Sequence, residues 1–201
     1  VRRFEDEHVV KRIWAHDHTL WDPDPAEITD RLGWLRITEA MGEHLREVES
    51  FTAEIHAGGY NHAVLLAMGG SAFAPELYRS VFGCAVGCPG FIMLDSTQPG
   101  WVQRVTDTID PENTLFIVSS KSGGTVEVLS FYRHFRAIVD QRMGRKAAGA
   151  NFVAITDPGT SLEALGRADG FRHVFLNPPD IGGRYSGLSL FGLVPASVMG
   201  M

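Results

Sequence analysis

No apolar run in this sequence approaches the roughly 20 residues that a membrane-spanning helix requires, so no membrane role is expected. Cysteine is scarce. Cys84 and Cys88 lie among Gly87, Pro89 and Gly90, in what reads as a turn. A lone C-x-x-x-C pair without further ligands signals neither a metal site nor a disulfide framework, and two free thiols in a reducing cytoplasm are expected. Positive charge is not in excess: 18 Lys and Arg stand against 24 Asp and Glu, a net charge of −6. Nucleic acid, which calls for a basic surface, is therefore not an expected partner. A small phosphorylated ligand, which needs only a local cluster of donors, stays open. Internal repeats and low-complexity tracts are missing. So is an initiator methionine, and the charged opening Val1-Arg2-Arg3-Phe4-Glu5-Asp6 has no signal-peptide core. The chain stops at Met201 after an apolar stretch, and both ends read as cut from a longer polypeptide.

What is present suits one soluble domain with an extension: 201 residues, 44% hydrophobic and 21% charged. The first part is polar, with Trp14, Trp21 and Trp34 spaced through it and a turn at Asp22-Pro23-Asp24-Pro25. Ile28, Leu32, Leu35, Met41, Leu45, Val48, Phe51 and Ile55 then recur mostly at three- and four-residue spacing, which predicts one long helix ending at Gly58-Gly59. From residue 62 short apolar runs alternate with helical segments. The runs His62–Met68, Phe91–Leu94, Thr114–Ser119, Asn151–Thr156 and His173–Leu176 are nearly continuous in apolar side chains, as strands buried on both faces are. Helices are expected near 73–82, 98–108, 125–142 and 160–168, the last opened by Thr160 and Glu163 at capping-box spacing. This alternation predicts an α/β fold, a doubly wound five-stranded parallel sheet flanked by helices, in strand order 2-1-3-4-5. The expected division is a helical extension over 1–58 and the sheet domain over 59–201.

Two loops follow strands and precede helices: Met68-Gly69-Gly70-Ser71, and Ser119-Ser120-Lys121-Ser122-Gly123-Gly124-Thr125. A helix start leaves N–H groups unpaired and carries partial positive charge. Glycine lets an oxyanion approach the backbone, and Ser and Thr hydroxyls donate to it. In order 2-1-3-4-5 these loops flank the switch point where open α/β sheets bind ligands. For Gly69-Gly70-Ser71 alone, a tight turn with a cap is an equal explanation. The longer run at 119–125 exceeds what a cap needs. Neither loop spells G-x-G-x-x-G or G-x-x-x-x-G-K-[ST], which disfavours dinucleotides and P-loop chemistry. A third loop, Asn177-Pro178-Pro179-Asp180-Ile181-Gly182-Gly183-Arg184-Tyr185-Ser186, offers Arg184 as a partner for a negative oxygen. A surface role, or an ion pair with Asp180, explains Arg184 equally well.

These three loops, in this order, resemble those of the glucose-6-phosphate isomerases of the sugar isomerase (SIS) superfamily, over about residues 60–201. The wording of Leu94-Asp95-Ser96-Thr97, of Ile155-Thr156-Asp157-Pro158-Gly159-Thr160-Ser161-Leu162 and of the third loop is similar to the bacterial branch fused behind a transaldolase. The segment from Arg12-Ile13-Trp14-Ala15-His16-Asp17 to Trp34-Leu35 resembles the junction of those fusions. The resemblance implies a SIS-type, flavodoxin-like sheet and the interconversion of glucose 6-phosphate and fructose 6-phosphate through an enediol, within glycolysis and gluconeogenesis. It implies substrate contacts from Gly70 and Ser71, a phosphate loop of Ser120, Lys121, Ser122 and Thr125, a backbone contact from Gly183, and Arg184 as the residue that steadies the enediolate. Ser122 stands where many members have Thr, and Gly123-Gly124 where some have larger residues, which suggests a looser loop.

The same resemblance places the glutamate base and the ring-opening histidine and lysine in a later half of the chain, the histidine on a neighbouring subunit. Nothing here matches them. Glu76, Glu127 and Glu163 fall in expected helices facing solvent, and His16-Asp17-His18 lacks further metal ligands. The expected partners are a sugar phosphate, a C-terminal SIS half and a second copy in a homodimer. Neither cofactor nor metal is implied, since proton transfer at C1 and C2 needs only side chains. A non-catalytic SIS module that senses a sugar phosphate is the alternative, and a nucleotide-dependent Rossmann enzyme is a weaker third.

Overall fold

The computed structural model describes residues 2–201, with side chains from residue 4 onward. The charged opening noted above falls in part on Val1 and on the Arg2 and Arg3 side chains, outside the described residues. The helices are α1 (Arg2–Asp6), α2 (Val9–Trp14), α3 (Ile37–Gly42), α4 (Leu45–Ala57), α5 (Gly70–Phe82), α6 (Pro99–Thr108), α7 (Val126–Met143), α8 (Arg145–Ala148), α9 (Ser161–Ala168) and α10 (Leu190–Val198). The strands are β1 (His62–Ala67), β2 (Gly90–Leu94), β3 (Thr114–Ser119), β4 (Phe152–Thr156) and β5 (His173–Leu176). All pair in parallel, in the order β2-β1-β3-β4-β5. This is the doubly wound parallel sheet that the alternating pattern implied, and the SIS-type sheet that the resemblance implied.

The sheet is buried on both sides, and side-chain alternation decides which layer each residue joins. Ala63, Leu65, Leu115, Ile117, Val153 and Ile155 share one cluster with α4 and α10. Val64, Leu66, Phe116, Val118, Phe152 and Ala154 share the other with α6, α7 and α9. Phe116 stacks on both Phe135 and Phe152, with ring centroids 5.0 and 4.9 Å away. Side chains of this size, fully buried, are each worth about 1.5–3 kcal/mol of transfer free energy. Caps mark the helix starts. The Gln98 side chain accepts from Trp101 N–H at 2.6 Å. Thr160 Oγ1 accepts from Glu163 N–H, while the Glu163 carboxylate reaches back to Gly159 N–H at 2.7 Å.

The single long helix expected over 28–55 is not formed. Short 3₁₀ turns at Thr29–Arg31 and Gly33–Arg36 lead into α3, and α4 begins anew at Leu45. The cause is tertiary pairing. Leu32 forms an antiparallel bridge with Ile181, and Gly33 N–H donates to Asp180 C=O at 2.9 Å. A Cβ on Gly33 would lie 2.4 Å from the Asp180 carboxyl carbon, so a larger residue here would have to push the exposed Asp180 side chain aside. Leu45, placed on the inner stripe by spacing, is exposed. Helix α4 nevertheless buries Val48, Phe51 and Ile55 against the sheet as part of its core. Helix α5 starts at Gly70, three residues earlier than expected, so Gly70 and Ser71 belong to its first turn. The helical glutamates are half-buried rather than solvated, and two are ion-paired: Glu76 with Arg79 and Glu163 with Arg167. Among the described residues no helix is long and apolar enough to cross a membrane, and Cys84 and Cys88 are both free.

Candidate functional site

Strands β1 and β3 are neighbours whose following helices leave on opposite faces, so their carboxyl ends open a crevice. A cavity of about 540 Å³ sits there. It is lined by Gly70, Ser71, Ser120, Lys121, Ser122 and Thr125, and on its far side by Gly183. All seven are residues that the loop motifs single out, and the fold brings them to one place.

The loops are built from each other's hydrogen bonds. Ser71 Oγ lies 3.0 Å from Met68 C=O and 3.2 Å from Ser119 C=O, and donates across the two strand ends. Ser120 Oγ and Thr125 Oγ1 are 2.8 Å apart, closing the second loop on itself. Ser120 N–H donates to Ile155 C=O and Asp157 N–H to Lys121 C=O, which carries the β3–β4 pairing past the strand ends. Gly123 has φ +67°, and a Cβ there would lie 2.5 Å from Thr160 Cβ. Its carbonyl accepts from Ser161 Oγ at 2.9 Å. The looseness expected of Gly123-Gly124 is therefore corrected at Gly123, whose glycine allows tight docking on α9. Gly70 and Gly183 meet backbone to backbone: a Cβ on Gly70 would lie 2.7 Å from Gly183 C. Ser186 Oγ donates to Gly183 C=O at 2.7 Å and steadies that contact.

The charges differ from expectation. Lys121 is no free point charge. Its ammonium is bound to the Asp157 carboxylate and donates to Pro179 C=O at 2.7 Å. Burial pushes the Asp157 carboxyl up, and the hydrogen bond and charge of Lys121 pull it only partly back. Asp157 Oδ1 is buried without a hydrogen-bond partner among the described residues. Arg184 is exposed and has no ion pair with Asp180. It lines an adjoining cavity of about 560 Å³ that shares Gly70 and Gly183 with the first. Sequence reasoning did not single out Asp157 or Arg31 as site residues, though both line the main cavity and Arg31 lines the adjoining one as well. Local sequence carries no sign of Arg31, because the contact between its segment and the third loop is tertiary. A further cavity of about 670 Å³, with His44, Glu47 and His173, lies at the start of β5, away from the loop edge of the sheet. Among the described residues no group of His, Cys, Asp or Glu is placed to hold a metal ion.

Fold and crevice together define a SIS-type α/β protein whose switch point is lined with hydroxyl and backbone donors. The model of the phosphoglucose isomerase family matches residues 34–201, and the chain belongs to that family. The glucose-6-phosphate isomerase of Carboxydothermus hydrogenoformans is 31% identical over 180 residues, covering 85% of this chain and 38% of that protein. A crystal structure of a hypothetical protein from Thermus thermophilus superposes with a TM-score of 0.83 at 30% identity, over 99% of this chain and 45% of the other. A glucose-6-phosphate isomerase from Chlamydia trachomatis shares the fold, with a TM-score of 0.70 at 24% identity, over 92% of this chain and 34% of the other. The chain thus spans well under half the length of the curated relatives it matches.

Proposed function

We propose that this chain is the sugar-phosphate-binding part of a glucose-6-phosphate isomerase, with residues 59–201 forming the binding domain and 1–58 a helical extension that covers it. The observation that carries this reading is the convergence of three donor-rich loops on one cavity at the β1/β3 switch point. The phosphate sits at the start of α7, held by Ser120, Ser122 and Thr125 and by the N–H groups of the loop. Gly70 and Ser71 meet the sugar from the start of α5. Lys121 acts mainly by fixing the loop through Asp157.

Moving a proton between C1 and C2 creates negative charge on the sugar oxygens at the enediol stage. Arg184, in the adjoining cavity, supplies the donors that meet it. The main cavity contains no glutamate, and its more buried aspartate, Asp157, is ion-paired with Lys121. The base and the ring-opening groups are assigned, as the resemblance implies, to the other half of the polypeptide. That half covers the exposed apolar stripe Phe73, Leu77 and Val81 on α5, together with Leu188 and Met201. The full protein works as a homodimer in the cytoplasm. A main cavity without a glutamate also supports a second reading, a binding-only SIS module.

A coupled assay of glucose 6-phosphate turnover separates the two. The isolated chain is expected to bind fructose 6-phosphate weakly and turn nothing over, while the complete polypeptide isomerises. A complete polypeptide that binds without turnover would leave the sensor reading standing.

A further inference from the structure

The main cavity has a cation that the loop motifs do not supply. Arg31 ends the 3₁₀ turn Thr29–Arg31, well outside the sheet, yet it lines both the cavity with the hydroxyl loop and the one with Arg184. Several contacts bring it there. Leu32 bridges Ile181, Gly33 N–H binds Asp180 C=O, and Trp34 stacks on Tyr185 with centroids 4.9 Å apart. The Arg31 stem lies along Gly182, where a Cβ would come within 3.0 Å of its Cδ. The segment before α3 is thus clasped to the third loop, and Arg31 lies at the border of the two cavities.

Of the two cations in the main cavity, Arg31 has the more available charge. Lys121 is held by Asp157 and Pro179, and Arg184 reaches only the adjoining cavity. Arg31 pairs with Asp30 at 2.6 Å, but their side chains are 35% and 56% exposed. A solvated pair of this kind is weak and readily exchanged. A guanidinium offers a rigid fork of donors that fits a phosphate or two adjacent sugar oxygens.

We propose that Arg31 is a ligand-contacting residue of this site, exchanging Asp30 for an anionic, phosphorylated sugar that spans the two cavities. This rests on the sugar-phosphate reading of the crevice. Its role is charge and geometry at the ligand, so the N-terminal segment helps determine affinity.

The test is calorimetric titration of the chain with fructose 6-phosphate and with 6-phosphogluconate. Arg31→Met keeps the stem on Gly182 and removes the charge. Affinity is expected to fall about ten- to a hundredfold, the scale of a hydrogen bond to a charged group. Its salt dependence should flatten, since the screened charge is gone. Arg31→Lys should recover part of the loss. Asp30→Asn, which frees Arg31, should tighten binding a few-fold. The control is a Ser120→Ala, Thr125→Ala double variant. If the control loses binding while Arg31→Met binds like the parent, the role of Arg31 is overturned and the crevice stands. If the control binds like the parent, the reading of the crevice itself fails. Should Arg31→Met unfold, Asp30→Asn decides: unchanged or weaker binding overturns the proposal.

Discussion

Replacing Gly70 by alanine probes the point where the first loop meets the third. The added Cβ would lie 2.7 Å from Gly183 C and 2.8 Å from its Cα and O, all backbone atoms. Comfortable carbon contacts are about 3.5–4.0 Å, so the two loops must part by roughly 1 Å. Overpacking of this kind costs about 1–3 kcal/mol. Alanine at the start of α5 recovers less than the roughly 0.5–1 kcal/mol that it gains over glycine inside a helix. The net expected loss is about 1–2 kcal/mol, which in a domain of this size lowers the melting temperature by about 2–8 °C. Gly42→Ala is the matched control. It ends α3 with nothing within 4 Å of its Cβ position, and should be neutral or slightly stabilising. Urea denaturation gives the stabilities, and titration with fructose 6-phosphate gives the second readout. Because Gly70 and Gly183 both line the cavity, affinity should fall by about tenfold or more, as when a charged hydrogen bond is misplaced. A Gly70→Ala protein as stable as Gly42→Ala, with undiminished affinity, would refute the backbone contact as the feature that sets the two loops.

Other perturbations follow from the charge pairs. Lys121→Met strands the Asp157 carboxylate; since both side chains are mostly but not fully buried, a loss of about 1–3 kcal/mol is expected, below that of a fully buried pair. Adding Asp157→Asn should return much of it, which a double-mutant cycle by denaturation would read. Burial already raises the Asp157 carboxyl in the folded chain. The folded state therefore holds its proton to higher pH than the unfolded state, and stability falls as pH rises through that interval. Without Lys121 this fall should become steeper, and an unchanged pH profile would count against the pairing. Glu47 has the opposite sign. Burial pushes its carboxyl up, but hydrogen bonds from His173 and His44 outweigh that and hold it below the usual range. Its stabilising contribution is complete above the ordinary glutamate value and lost as pH falls below it. Glu47→Gln should accordingly lose less stability than the parent between about pH 6 and pH 3, as urea titrations at each pH would show.

The sheet was legible because its residues obey local rules. Runs such as Thr114–Ser119 are apolar throughout most of their length, and every residue in that strand is buried. The Thr160–Glu163 spacing marked the start of α9 for the same reason. The loop motifs gave seven of the lining residues, because glycines and hydroxyls at strand ends carry their own conformational and donor signature. The failures are all matters of tertiary context. The 28–55 periodicity is real for Val48, Phe51 and Ile55, but the pairing of Leu32 and Gly33 with the third loop overrides helix propensity upstream. The pairing of Lys121 was invisible because nothing in its neighbourhood announces Asp157, 36 residues away. Arg184 follows Gly183, which lines the main cavity, yet itself lines only the adjoining one. Arg31 enters through a contact between segments about 150 residues apart, which no local pattern encodes.

Backbone amide chemical shifts recorded while fructose 6-phosphate is added test most directly whether these loop tips share one anion-binding crevice. Shifts are expected at residues 69–72, 120–126 and 182–186 together, saturating with one common affinity. Shifts confined to one of these loops, or centred on His44, Glu47 and His173, would contradict it.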